Sequence, residues 1–214
     1  MTEDAYIHEI VPGVAGGPLL FLFHGTGGNE HQLMGFGREL LPSATLVSPR
    51  GDISEHGASR FFRRTGEGVY DMGDLARATQ RMGGFVRQKI DAVKPSHVIG
   101  LGYSNGANIL AATLFADPAL FDAAVLMHPL IPFEPDIKGS LAGKAILITA
   151  GRRDPICPPD ITARLEVHLR AADAGVVLAW HEGGHEMRQT ELDAVTSFLA
   201  SYRDAVPISD RTTQ

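Results

Sequence analysis

Short apolar runs that stop at glycine, alternating with longer stretches of helical periodicity, constrain this chain more than any other feature. Leu19-Leu20-Phe21-Leu22-Phe23 is apolar without a break and ends at His24-Gly25-Thr26-Gly27-Gly28. A strand that is apolar at every position is buried on both faces, as in a parallel sheet covered by helices on two sides. Residues 44–48, 97–103, 123–127, 145–150 and 176–180 follow the same pattern and read as strands. The segments between them predict helices over 29–41, 71–93, 105–115, 159–174 and 191–202. In the longest, Leu75, Ala78, Met82, Phe85, Val86 and Ile90 recur near 3.6-residue spacing, although Gly83-Gly84 interrupts it. Residues 51–70 hold glycines, arginines and the adjacent Phe61 and Phe62 but no regular period. The alternation predicts an α/β fold with a mostly parallel central sheet flanked by helices.

The 214 residues suit one domain spanning 1–214, and 44% hydrophobic content gives it a proper core. The formal net charge of −6 argues against a nucleic-acid binder or a polybasic membrane-surface protein. No run approaches the roughly 20 apolar residues of a membrane span. The first residues, MTEDAYIHEI, are acidic where a secretory leader is basic, so the expected location is the cytoplasm. Cys157 is the single cysteine, which excludes an internal disulfide and a multi-cysteine zinc site. It reads as a packed loop thiol. The polar stretch after about residue 206 reads as a frayed tail.

The chemistry concentrates in Gly102-Tyr103-Ser104-Asn105-Gly106, a G-x-S-x-G between an apolar strand and a helical run. The turn is too sharp for side chains on both sides of the serine, so glycines flank it. The hydroxyl then projects above the sheet edge at a helix N-terminus, where free backbone N–H groups and positive potential favour a developing oxyanion. A serine needs a base to take its proton, and in this architecture an acid and then a histidine follow it in chain order. The strand at 145–150 leads into Gly151-Arg152-Arg153-Asp154-Pro155, making Asp154 the candidate acid. The strand at 176–180 leads into His181-Glu182-Gly183-Gly184-His185, making His185 the candidate base. All three then lie at the carboxyl ends of parallel strands, where such folds place their sites. The backbone N–H groups of Thr26, in the glycine loop after the first buried strand, and of Asn105 are the expected oxyanion donors.

Residues 181–185 also match H-E-x-x-H, a zinc-protease pattern that needs both histidines one turn apart on a helix. Gly183-Gly184 disfavours that helix and the segment follows a strand, so no metal is expected. His24 reads as a brace for the glycine loop. His128, after a strand and before Pro129, either lines the substrate pocket or serves its loop. Arg60, Phe61, Phe62, Arg63 and Arg64 combine apolar area with positive charge, and either form a pocket wall or flap contacting an acyl group or an anionic substrate end, with Phe61 and Arg63 as the contacts, or belong to a surface loop with its arginines in solvent and one phenylalanine in the core.

Taken together, the HG-x-GG loop, G-x-S-x-G, G-x-x-D-P and GGH resemble the small serine α/β-hydrolases of the phospholipase/carboxylesterase group, which includes acyl-protein thioesterases. The matching residues are His24, Gly25, Gly102, Ser104, Gly106, Asp154, Pro155, Gly184 and His185, and the resemblance runs from about Leu19 to Leu199. It implies an α/β-hydrolase fold and cleavage of a small-molecule ester without a cofactor. A thioesterase or lysophospholipase is the alternative, and a non-catalytic binding protein of the same fold a more distant one. Homodimers are frequent in that group, but no interface stripe is visible in this sequence. Dienelactone hydrolases share the fold but carry cysteine where this chain has Ser104. The segment from Met127 to Lys144 is too short for a large cap domain, which implies an open site.

Overall fold

The computed structural model describes residues 6–203, and the tail expected to fray after about residue 206 lies outside the described residues. In chain order the strands are β1 (His8–Val11), β2 (Leu19–Phe23), β3 (Thr45–Pro49), β4 (Ile53–Glu55), β5 (Ala58–Arg60), β6 (Arg64–Gly66), β7 (Val69–Tyr70), β8 (Val98–Tyr103), β9 (Ala123–Met127), β10 (Ala145–Gly151) and β11 (Gly175–His181). The α-helices are α1 (Met34–Leu40), α2 (Met72–Val93), α3 (Asn105–Ala116), α4 (Pro159–Ala171) and α5 (Gln189–Arg203). Seven strands form the central sheet in the order β1-β3-β2-β8-β9-β10-β11. Only β1 within that sheet runs antiparallel to its neighbour.

Side chains alternate across the sheet and feed two cores. Leu19, Phe21 and Phe23 pack with α2, α3 and α4 on one face, while Leu20 and Leu22 pack with α1 and α5 on the other. All five are fully buried, each contributing about 1.5–3 kcal/mol on a transfer scale. In β8 the sequence Val-Ile-Gly-Leu-Gly-Tyr turns Ile99 and Leu101 toward one core and the glycines toward α3. A Cβ at Gly100 would strike the Leu110 side chain, so the glycine is what lets α3 lie close. Nearly all of α3 is buried, as expected for a helix apolar all round.

The structure extends the sequence reading in four places. The N-terminal β1 had no clear signal because it is an edge strand of only four residues, none of them buried. The helix expected from residue 29 begins at Met34, because the Asn29 side chain accepts the His31 N–H and turns the chain first. Helix α2 continues through Gly83-Gly84, since Met82, Phe85 and Val86 on either side are anchored in the core. Residues 51–70 are not irregular but form two small hairpins, β4–β5 and β6–β7. The connection 128–144 carries no helix, so no large cap covers the sheet edge. Among the described residues no helix is long and apolar enough to cross a membrane.

Candidate active site

The register of the parallel strands brings their carboxyl ends to one edge: Phe23 opposite Gly102, Tyr103 opposite Met127, and Gly151 opposite His181. Ser104 follows β8 and caps α3 with φ 53° and ψ −117°, a backbone conformation rarely adopted outside glycine. Its N–H is held by the Met127 carbonyl at 2.8 Å. A Cβ at Gly102 would run into the Gly106 backbone, and one at Gly106 into the Phe23 carbonyl. Both glycines of the motif are therefore required by close approach.

Ser104 Oγ lies 2.9 Å from His185 Nε2, and His185 Nδ1 lies 2.8 Å from Asp154 Oδ2. The three side chains named from the sequence thus form one hydrogen-bonded chain. Asp154 is 3% exposed, and its other oxygen accepts the Ile156 and Cys157 N–H groups at 2.8 and 2.9 Å. Burial pushes its carboxyl up, but the Cys157 N–H and the two imidazoles beside it outweigh that and hold it below the usual carboxylate range. The Tyr103 hydroxyl donates to the His185 carbonyl at 2.7 Å, fixing the loop that carries the histidine.

Thr26 and Asn105 face the same cleft as Ser104 and His185. Among the described residues neither backbone N–H has a hydrogen-bond partner. His24 braces the Thr26 loop. Its Nε2 accepts the Gly51 N–H at 2.9 Å, which leaves the ring hydrogen on Nδ1 to donate to the Gly25 carbonyl at 2.7 Å. Burial lowers its pKa, favouring this neutral form. The hairpins complete the bracing. Arg60 Nη1 donates to the Thr26 hydroxyl at 2.7 Å, the Ser59 carbonyl accepts the Gly27 N–H at 3.0 Å, and the Phe61 N–H donates to Asn105 Oδ1 at 2.8 Å.

Three expected substrate contacts are corrected. Phe61 is fully buried behind the cleft, against Phe23 and His24, and Phe62 is buried too. Arg63 is exposed and lines not the cleft but an adjoining depression, with His56 and Ile53, that shares Arg60 and Arg64 with it, and its backbone N–H donates to Asp74 Oδ2 of α2 at 2.7 Å. His128 is fully buried beneath Asp154 rather than lining the cleft. The cleft, about 370 Å³, is lined instead by Arg60, Arg64, Glu67, Tyr70, Asn108, Leu130 and Ile156 around the Ser104 pair. Arg60 and Arg64 belong to the run of arginines and phenylalanines that the sequence offered as a pocket wall, whereas Asn108, one helical turn beyond Ser104, carried no motif of its own. The two histidines of the H-E-x-x-H pattern sit at the end of β11 and in the following loop, not on one helix. Burial pushes the Cys157 thiol up, with Asp154 adding to the effect, so it is held protonated.

The family model for the dienelactone hydrolase family matches residues 75–202, which include Ser104, Asp154 and His185. The chain belongs to this hydrolase family. It is 37% identical over 190 residues to the Bacillus subtilis (strain 168) protein named Putative hydrolase MhqD, covering 88% of this chain and 94% of that one. Among solved structures it is similar to Atu2452 of Agrobacterium tumefaciens strain C58, described as of unknown function. That pair shares 59% identity over 94% of this chain and 99% of the other, with a TM-score of 0.91. The Bacillus cereus carboxylesterase shares 35% identity over 92% of this chain and 94% of its own, with a TM-score of 0.87. The protein is a small α/β hydrolase of the kind its motifs resemble, with serine rather than cysteine at the sheet-edge turn.

Proposed function

We propose that the protein is a serine carboxylesterase that hydrolyses small carboxylic esters through an acyl-enzyme. The observation that carries this reading is the unbroken chain Ser104 Oγ, His185, Asp154, with both links under 3 Å. His185 Nε2 takes the Ser104 proton as Oγ attacks the acyl carbon. The Thr26 and Asn105 N–H groups receive the oxyanion, and His185 returns the proton to the departing alcohol. Water then repeats the sequence on the acyl-enzyme and releases the carboxylic acid. Asp154 accepts the Nδ1 hydrogen throughout, fixing the tautomer and stabilising the imidazolium. The similarity to the Bacillus cereus carboxylesterase supports the ester class.

A cleft of about 370 Å³, with the charged Arg64 and Glu67 among its lining residues, favours short acyl groups. The test is hydrolysis of p-nitrophenyl esters from acetate to palmitate by the wild type and Ser104→Ala. The reading expects turnover that is highest on the short esters and lost in the variant. Equal activity of the two proteins would remove Ser104 from the nucleophile role, and a folded wild type inactive on every ester would overturn the ester class.

A further inference from the structure

The Thr26 side chain carries a hydrogen that the fold leaves without an acceptor. Arg60 Nη1 lies 2.7 Å from Thr26 Oγ1. A guanidinium can only donate, so the hydroxyl oxygen is the acceptor of this bond. The hydroxyl's own hydrogen remains to be donated, and among the described residues nothing accepts it. Thr26 is exposed and faces the same cleft as Ser104.

The other hydroxyls and carboxamides lining the cleft offer it no such hydrogen. Ser104 is engaged with His185, the Tyr103 hydroxyl with the His185 carbonyl, and the Tyr70 hydroxyl donates to the Leu130 carbonyl at 2.6 Å. Asn108 gives Nδ2 to the Tyr70 hydroxyl and takes the Leu130 N–H on Oδ1. Asn105 Nδ2 has no partner either, but that atom is shielded from solvent.

The group that polarises the Thr26 hydroxyl is itself held in place. Arg60 is 4% exposed, its Nε donates to the Phe62 carbonyl at 3.3 Å and lies 3.6 Å from Glu55, and its guanidinium carbon sits 5.9 Å from the Phe62 ring centroid. A bond from a charged donor is stronger than a neutral one, and it makes the hydroxyl that accepts it a better donor in turn. The Thr26 backbone N–H is unpartnered among the described residues too. Both donors belong to one residue and can converge on one oxygen.

We propose that the Thr26 hydroxyl is a third oxyanion donor, polarised by Arg60, beside the N–H groups of Thr26 and Asn105. The proposal rests on Ser104 being the nucleophile of the ester reaction. As Ser104 Oγ bonds to the acyl carbon, the carbonyl π pair moves onto its oxygen and the Ser104 proton moves to His185 Nε2. The hydroxyl donates to that oxygen, whose charge develops on the way to the tetrahedral intermediate, so the bond serves turnover rather than substrate binding. Arg60 acts through the hydroxyl, as a positioning residue.

The first test is the crystal structure of the adduct that an alkyl trifluoromethyl ketone forms with Ser104, in which the ketone oxygen becomes an oxyanion. Thr26 Oγ1 should lie about 2.5–3.0 Å from that oxygen. The second is p-nitrophenyl acetate hydrolysis by Thr26→Val and Thr26→Ser. Valine keeps the shape and the backbone N–H but has no hydroxyl. It should lower kcat by about 100-fold with KM nearly unchanged, and weaken the ketone by a similar factor. Serine should recover most of both losses. The Gly27 amide, which donates to the Ser59 carbonyl at 3.0 Å, should keep its hydrogen-exchange protection in the valine variant. An oxyanion beyond reach of Oγ1, a valine variant as active as the wild type, or a raised KM at constant kcat overturns the proposal. A fall in kcat with loss of Gly27 protection does so too, because the hydroxyl would then only brace the loop. A wild type that neither turns over the ester nor forms the adduct fails the ester reading, and this one with it. Adduct and turnover with an idle hydroxyl sink this one alone.

Discussion

The two halves of the cleft are held by different means. Ser104, Asp154 and His185 stand on turns after β8, β10 and β11, whose relative positions are set by ladders of backbone hydrogen bonds and a fully buried core. The Thr26 and Asn105 side depends on a few polar contacts from the hairpins: Arg60 to Thr26, Ser59 to Gly27, and Phe61 to Asn105. A ladder tolerates the loss of one bond, whereas a brace of three contacts does not. The nucleophile and its partners are therefore fixed by the strand ends, while the residues expected to supply the oxyanion donors lean in addition on hairpin contacts outside the central sheet.

The largest effect should come from the strand-end half. Ser104→Ala should lower kcat/KM for p-nitrophenyl acetate by about 10⁴-fold or more, with an unchanged circular dichroism spectrum. The hairpin half is tested by Arg60→Met, which removes the bond to the Thr26 hydroxyl and leaves Glu55 paired with Arg64 at 2.9 Å. If the hairpin positions an oxyanion donor, kcat should fall by about 10- to 100-fold with little change in KM, less than the loss of a whole donor. A raised KM at constant kcat would mean instead that Arg60 binds ground-state substrate, and the contrast between the halves would collapse. Tyr103→Phe probes the strand-end half more gently. It deletes one hydrogen bond to the His185 carbonyl, worth about 1 kcal/mol. The expected loss in kcat is about fivefold, and no loss at all would show that the strand ends hold the His185 loop without it.

The same contrast explains what the sequence made legible. The strand-end half announces itself locally: apolar runs ending in glycine turns mark Ser104, Asp154 and His185, and each turn is encoded within a few residues of the side chain it presents. The hairpin half has no such local signature. Arg60 and Phe61 act on residues 34 and 44 positions away, one through a guanidinium and the other through a backbone N–H that no side-chain pattern reports. Phe61 looked like pocket wall because an aromatic beside arginines is amphipathic in sequence. In the fold it is sealed against Phe23 and His24. His128 was visible as a loop histidine near the right strand end, but its partner Glu191 lies 63 residues on, at the start of a helix, and only tertiary structure joins them.

The smallest expected effect separates the two halves by their electrostatics. Buried ion pairs are screened by salt far less than exposed ones. Arg64, bonded to Glu55 and to the exposed Glu67 on the hairpins, should contribute about 0–1 kcal/mol to stability, and Arg64→Met should show a difference that shrinks in about 0.5 M salt. The buried cluster of His128, Asp154 and Glu191 should respond to pH instead. Burial works against a charge on His128, yet Glu191 and Asp154 outweigh it and raise its folded pKa, so its contribution is fully present below the unfolded value near 6.5 and is lost as pH rises through the folded value. Urea unfolding of wild type and His128→Asn, compared between pH 6 and 9, should therefore show the stability difference shrinking with pH. The slope is bounded at about 1.4 kcal/mol per pH unit for a single proton. The slope should persist in high salt, because the side chains of His128, Asp154 and Glu191 are all fully buried. A difference independent of pH would mean that His128 stabilises by packing alone, and a slope abolished by salt would place its charge in contact with solvent.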